Sequence, residues 1–521
     1  MAQSGEGGQP LSGAPRTRSV EVARNSLLYG LEMVTTFIAS FITSIAIARV
    51  IGPEKLGYYN YVYFLTSVAG MLGTMGVPLT ARKFMADYIG RGEEGKAKSV
   101  YESCWRVQFR ISMVLTVVCF AAAYFFSERS YFVSTFLLIA GMPLRILAFL
   151  PAMANMSWDD MQGNLPGSFA NLGVYTTLVV LSLVMGWGVD GIACGILIGY
   201  ILELLLKSRR ARGWMKDIEA EPLPDEMKQR MFRFSGQGVL LTLLSLTVFD
   251  RSDLVFLRMF NADPRNLTFF TTATSMVERL LLAPQIFTQG LGISILNDFG
   301  KGGTKSYAYI ASALRYALLF GTPVLLCGAA LSGPMIRILY GRQYLAVIPL
   351  FAVAAVLAIP KASRVPAQTL LQAHDRQDLL VYWGLVCAAL NIILDLVLIP
   401  RHAAMGAVIA NGVTQAVSCV GLWVICVRVL KVEAEASMAV RASVIGGLIS
   451  VPVWLLSGID PPWLALLLGA ASAVVVGLPL IRWARLIRQQ DLDRFGSVLR
   501  KLPEPLRSAG MRLLAWEAAG A

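Results

Sequence analysis

Within the run VFDRSDLVFLR, Val248 to Arg258, two aspartates and an arginine interrupt residues that are otherwise mostly apolar. In a continuous helix Asp250 and Asp253, three apart, share a face, and Arg251 projects about 100° away. Other apolar runs carry Glu32, Arg145, Glu278 with Arg279, Arg315, and Lys361 with Arg364. A charge at mid-bilayer costs at least about 2.5–3.5 kcal/mol, so such groups must face a partner, a ligand or water. Guanidinium groups hold phosphate oxygens in bidentate pairs. The bases Arg145, Arg251, Arg279, Arg315, Lys361 and Arg364 therefore suit an anionic ligand. The acids Glu32, Asp250, Asp253 and Glu278 suit a coupling proton or sodium ion, or the role of counter-charge. The competing reading is local neutralisation, Glu278 with Arg315 or Asp250 with Arg279, which would only fix helix register. Glu203 and Asp395, close to span ends, read as locally paired.

Covalent chemistry finds little support. His374 and His402 are the only histidines and have no triad-like partners. The seven cysteines show no CxxC or Cys/His spacing, so no metal or other cofactor is expected beyond coupling to a proton or sodium gradient.

The elements that must position these charges are membrane helices. The chain is 56% hydrophobic and 15% charged, with a mean hydropathy of +0.60, far from the balance of an ordinary soluble domain. An all-α polytopic fold is expected, with fourteen apolar stretches near 26–50, 57–81, 108–127, 131–155, 165–187, 189–206, 235–258, 267–296, 307–331, 344–371, 378–399, 404–427, 439–457 and 463–482. Prolines at 78, 143, 151, 284, 323, 349, 360 and 366 suit broken spans around a cavity. With the N-terminus inside, cytoplasmic segments collect about 32 of the 46 Lys and Arg, the bias expected of inward-facing loops. Both termini are thus expected in the cytoplasm. The net charge of +13 reports topology, because no aromatic-interleaved nucleic-acid motif accompanies it. Segments 82–107 and 207–233 could form amphipathic interfacial helices, and the Arg-rich tail suits an anionic leaflet.

Leu150 to Gln162 aligns with Val365 to Gln377 at an offset of 215 residues, and Ala48 onward matches Leu257 onward in position at an offset near 209. Two similar offsets argue for duplicated six-helix halves in parallel orientation, a pattern of transporters that rock two bundles about a central site. The expected organisation is a disordered tail at 1–22, a first lobe at 23–207, a linker at 208–233, a second lobe at 234–430, an extra transmembrane pair at 431–483 and a basic amphipathic tail at 484–521.

Gly52, Pro53, Gly57 and Tyr58 form a Gly-Pro-x-x-x-Gly-Tyr turn, and Gly76 and Arg82 follow at the end of the second span. LYGRQY at Leu339 leads into span 10, and Asn391, Pro400, Gly406 and Ala407 punctuate spans 11 and 12. Over about residues 20–430 this pattern resembles the Wzx-type polysaccharide flippases of the multidrug/oligosaccharidyl-lipid/polysaccharide exporter superfamily. The resemblance implies a two-lobed bundle in the bacterial inner membrane that moves an undecaprenyl-diphosphate-linked glycan, an O-antigen or exopolysaccharide repeat unit, by alternating access. Membrane lipids and the polymerase and glycosyltransferases of the same pathway would be its partners. Fourteen spans also resemble the lipid II flippase branch. The alternatives are a cation-coupled multidrug antiporter, which calls for an acid-dominated cavity, and a membrane glycan polymerase or ligase, which calls for a long outer loop.

Overall fold

The computed structural model describes residues 35–158, 160–249, 252–260, 263–300, 306–374, 376–431 and 436–484, with Glu504 and Ser508. The expected terminal tails fall largely outside these residues. Among the described residues every regular element is helical. The chain divides into two compact units: one runs to Ile51 and resumes over Val62–Leu240, and the other takes Gly52–Tyr61 and the chain from Leu241.

Unit 1 contains α1 (Thr35–Ile51) and most of α2 (Pro53–Thr74), followed by α3 (Val77–Gly90), α4 (Glu94–Phe126), α5 (Phe132–Ser157), α6 (Leu165–Met185), α7 (Gly188–Trp214) and most of α8 (Asp225–Phe249). Helix α7 packs against α5 and α6, and α4 packs against α3 and α5. The expected second span is not one helix. It breaks at Met75 and Gly76, both at positive φ, and a Cβ on Gly76 would meet the Ser235 carbonyl oxygen at 2.8 Å. The Ser235 hydroxyl donates to the Met75 carbonyl and ties the break to α8.

The segments read as interfacial helices pack on each other. Phe84, Met85, Tyr88, Val100, Leu223 and Met231 share one buried core, so these segments turn their apolar residues on one another. Gly95 accepts from the Glu221 amide, and Lys98 Nζ donates to the Ile218 carbonyl at 2.8 Å. The 207–233 stretch is thereby a packed part of unit 1.

Unit 2 contains α9 (Asp253–Phe260), α10 (Arg265–Gly300), α11 (Ser306–Ala330), α12 (Ser332–Leu339), α13 (Val347–Leu357), α14 (Arg364–Ala373), α15 (Gln377–Leu430), α16 (Ala436–Leu456) and α17 (Pro462–Trp483). Helix α15 covers two expected spans, joined at Ala403, whose φ of 47° and ψ of −125° interrupt the helix just after Pro400. By length and composition, seven described helices can cross a bilayer, or nine if each bent pair counts as one span.

Two corrections bear on the charges. Ser252 lies in a turn just ahead of α9, which starts at Asp253, so the 248–258 stretch is not one continuous helix; Asp250, expected to share a face with Asp253, lies outside the described residues. The tenth span is also broken. A 3-10 segment, Ile359–Ser363, separates α13 from α14, and the two arms bend by 44°. Proline at 360 removes a backbone donor where the helix changes type.

The start of α2 belongs to unit 2 and is fixed there by four contacts. The Pro53 carbonyl accepts from Thr268 Oγ1 at 2.6 Å, Asn60 Nδ2 donates to Thr271 Oγ1 at 3.0 Å, and Arg265 reaches Glu54 at 3.3 Å. At the fourth, a Cβ on Gly57 would come within 1.9 Å of the Pro264 carbonyl oxygen, a backbone atom that cannot swing aside. Gly57→Ala is therefore expected to cost about 1–3 kcal/mol as an overpacked site. A lowered unfolding midpoint in detergent checks this.

Candidate functional site

In unit 2 the carboxyl of Asp253 is wholly buried at the first residue of α9. Helix α15 supplies its surroundings from both of its arms. Asn411 Nδ2 donates to Asp253 Oδ2 at 2.8 Å, and Gln415 Nε2 donates to Asn411 Oδ1 at 2.9 Å. On the other arm Asn391 Nδ2 donates to Asp395 Oδ2 at 2.9 Å. The Asp253 and Asp395 carboxyls lie against each other. Both are fully buried, as is Asn391.

Two carboxylates so placed repel unless a proton or a cation stands between them. Oδ1 of Asp253, Asp395 and Asn391 each lack a hydrogen-bond donor among the described residues. Buried acceptors left this way cost free energy. An all-oxygen set with two acids suits a proton or a hard monovalent cation.

A small cavity of about 30 Å³ adjoins this cluster. Asn411 and Gln415 form part of its wall, with Glu278 and Thr274 from α10 and Lys361 from the 3-10 segment. Three-residue periodicity eclipses positions i and i+3, so Lys361 and Arg364 stay on one side despite the break in the helix. The positive charges of both reach Cys419 on α15. The structure thus brings Glu278, Lys361 and, through Asn411, Asp253 to one neighbourhood, with Arg364 beside it.

The other expected bases stand elsewhere. Arg279 Nη1 donates to the Tyr340 hydroxyl at 3.4 Å. Arg315 is 2% exposed, and its guanidinium lies 5.1 Å from the Tyr316 ring centre. Arg145 belongs to unit 1, where it reaches Ser67 at 3.5 Å, stacks 5.8 Å from the Tyr200 ring and faces Tyr63 and Glu203. Glu32, Asp250 and Arg251 lie outside the described residues. Glu203 is paired as expected, with Lys207 one turn away and with Asn171 Nδ2 at 2.6 Å.

Asp395 reads in the sequence as a span-end acid, and the structure instead buries it against Asp253. Asn391, Asn411 and Gln415 carry no charge and so do not stand out among the intramembrane acids and bases. Their signal was spacing: Asn391 with Asp395, and Asn411 with Gln415, each stand four apart in an apolar run, which places each pair on one helix face.

A family model described as polysaccharide biosynthesis protein matches residues 22–291. A lipid II flippase, MurJ, solved in an inward closed conformation, shares 15% identity at a TM-score of 0.65 over 89% of this chain and 100% of its own. An inward-facing multidrug resistance MATE family transporter of the MOP superfamily shares 14% identity at a TM-score of 0.61, over 77% of this chain and 96% of its own. A MOP superfamily transporter from Pyrococcus furiosus, whose binding pocket is described as reversed in polarity, shares 12% identity at 0.57, over 78% and 94%. No curated protein matches the sequence. At these identities the solved structures show a common helical fold.

Proposed function

Because the chain belongs to the polysaccharide biosynthesis protein family, we propose that it is a flippase for a polyprenyl-diphosphate-linked oligosaccharide, working by alternating access in the bacterial inner membrane with both termini in the cytoplasm. The observation that carries this reading is Lys361 at the wall of an intramembrane cavity, with Arg364 one 3-10 turn on. Cationic side chains in a low-dielectric site bind a diphosphate strongly and gain nothing from a neutral glycan. A lipid II flippase sharing the fold across its whole length supports a lipid-linked cargo.

Asp253 and Asp395 take the coupling role in this scheme. A proton or sodium ion bound between them removes the repulsion of the pair and biases the conformation that holds them together. Glu278 holds Lys361 when cargo is absent and yields it to the diphosphate. A multidrug antiporter of the same fold would use the acidic pair too, but would have no need of two bases beside it.

The deciding experiment reconstitutes the full chain in vesicles containing a polyprenyl-diphosphate oligosaccharide and scores its accessibility to a membrane-impermeant glycan-cleaving enzyme. Accessibility should rise under an imposed proton or sodium gradient. Unchanged lipid-linked glycan together with gradient-driven expulsion of a cationic dye would establish the antiporter instead.

A further inference from the structure

The end of α7 separates two clefts in unit 1 that differ in how their charge is spent. One is lined by Asp160, Arg209 and Arg210. There Asp160 already takes Arg210 Nε at 2.6 Å and the Trp214 indole at 3.1 Å. The other, about 520 Å³, is lined by Tyr101, Glu102, Trp105 and Arg106 of α4 and by Ser208 and Arg212 of α7.

In this second cleft each arginine donates Nε to the carbonyl one turn back in its own helix, Arg106 to Glu102 and Arg212 to Ser208, both at 3.3 Å. That bond fixes the stem and leaves the terminal nitrogens as the groups presented. Neither arginine has a salt-bridge partner among the described residues. Ser208 is 6% exposed, and its hydroxyl has no hydrogen-bond partner among the described residues. Two cations and Glu102 leave one net positive charge. The Tyr101 and Trp105 rings stack at 6.0 Å on the same wall, the arrangement found where membrane meets water.

Residues Ile201, Leu205, Ser208 and Arg212 follow one face of α7 at spacings of four, three and four. Ile201 and Leu205 are 38% and 53% exposed, and on α4 Phe109, one turn beyond Trp105, is 46% exposed. An apolar track thus leaves the charged cleft and runs into the membrane-spanning part of both helices.

We infer that this cleft binds one anionic phospholipid, a phosphatidylglycerol, with its phosphate between Arg106 and Arg212, the Ser208 hydroxyl donating to it, and its chains along Leu205, Ile201 and Phe109. The single net positive charge matches the single negative charge of that lipid. A zwitterionic headgroup leaves the cleft charge uncompensated. None of its residues belongs to unit 2, which carries the cargo-handling groups.

Native mass spectrometry of the full chain in detergent, titrated with phosphatidylglycerol, tests the assignment. R106Q/R212Q should weaken the first bound lipid at least about tenfold, as expected when two charge-assisted contacts go. R209Q, in the neighbouring cleft, should leave binding unchanged. E102Q changes an exposed side chain and should tighten binding about threefold through the loss of a like charge, which keeps the test open if the double variant fails to fold. Equal weakening by R209Q, equal affinity for phosphatidylethanolamine, or displacement of the lipid by millimolar glycerol phosphate would each overturn the proposal. So would unchanged binding in both R106Q/R212Q and E102Q.

Discussion

Asp253→Asn is expected to reduce transport about ten- to a hundredfold while leaving the protein folded. The amide keeps the volume and can still accept from Asn411, whose present bond to Asp253 is 2.8 Å. It removes the charge that would hold a cation or proton against Asp395. Losing one charged interaction of about 1.5–3 kcal/mol corresponds to that range. Asp395→Asn should behave in the same way. The double variant should add little, because two ligands of one ion act as a unit. The readout is glycan displayed by a deletion strain expressing each variant at matched level, with the unfolding midpoint as a control. Full transport by Asp253→Asn would end the coupling assignment.

Lys361→Glu should be more damaging still. It sets a second carboxylate on the wall that already carries Glu278. That wall then carries two like charges in place of one of each sign, and transport is expected to fall below detection. The informative comparison is the charge swap Glu278→Lys with Lys361→Glu. If the two groups only restrain each other, the swap should return both protein level and transport. If Lys361 meets the diphosphate, the swap should restore protein level in membranes and leave transport absent, since the attractive charge then stands on the wrong helix. The second outcome is expected. Radiolabelled lipid-linked glycan retained by purified protein would be the accompanying measurement.

The helical architecture was readable because crossing a bilayer demands about twenty apolar residues, a constraint that hydropathy measures directly. Continuity of the backbone is a different property. Pro360 advertised the 3-10 break, whereas the break at Met75 and Gly76 depends on Ser235, which is 160 residues away in sequence. Asp253 was legible because a carboxylate in an apolar run is conspicuous. Asn391, Asn411 and Gln415 were not, since amides disturb hydropathy little and their meaning comes from facing Asp253 and one another. Arg279 and Lys361 looked equivalent as intramembrane bases. Helical phase sends the first to Tyr340 and the second to the cavity, and phase across a broken helix is set by packing.

The anchoring of the α2 start also has a bearing on biogenesis. Asn60 and Glu54 find their partners, Thr271 and Arg265, 211 residues further along the chain. At about 5–20 residues per second, a ribosome needs roughly 10–40 s to make that length. Throughout that interval the N-terminal turn of α2 is in the membrane without its polar partners, and Gly57 has no backbone to approach. The early helices must therefore be held by the insertion machinery or by lipid, and truncations that end before Arg265 should be degraded even though all of α1 to α7 has been synthesised.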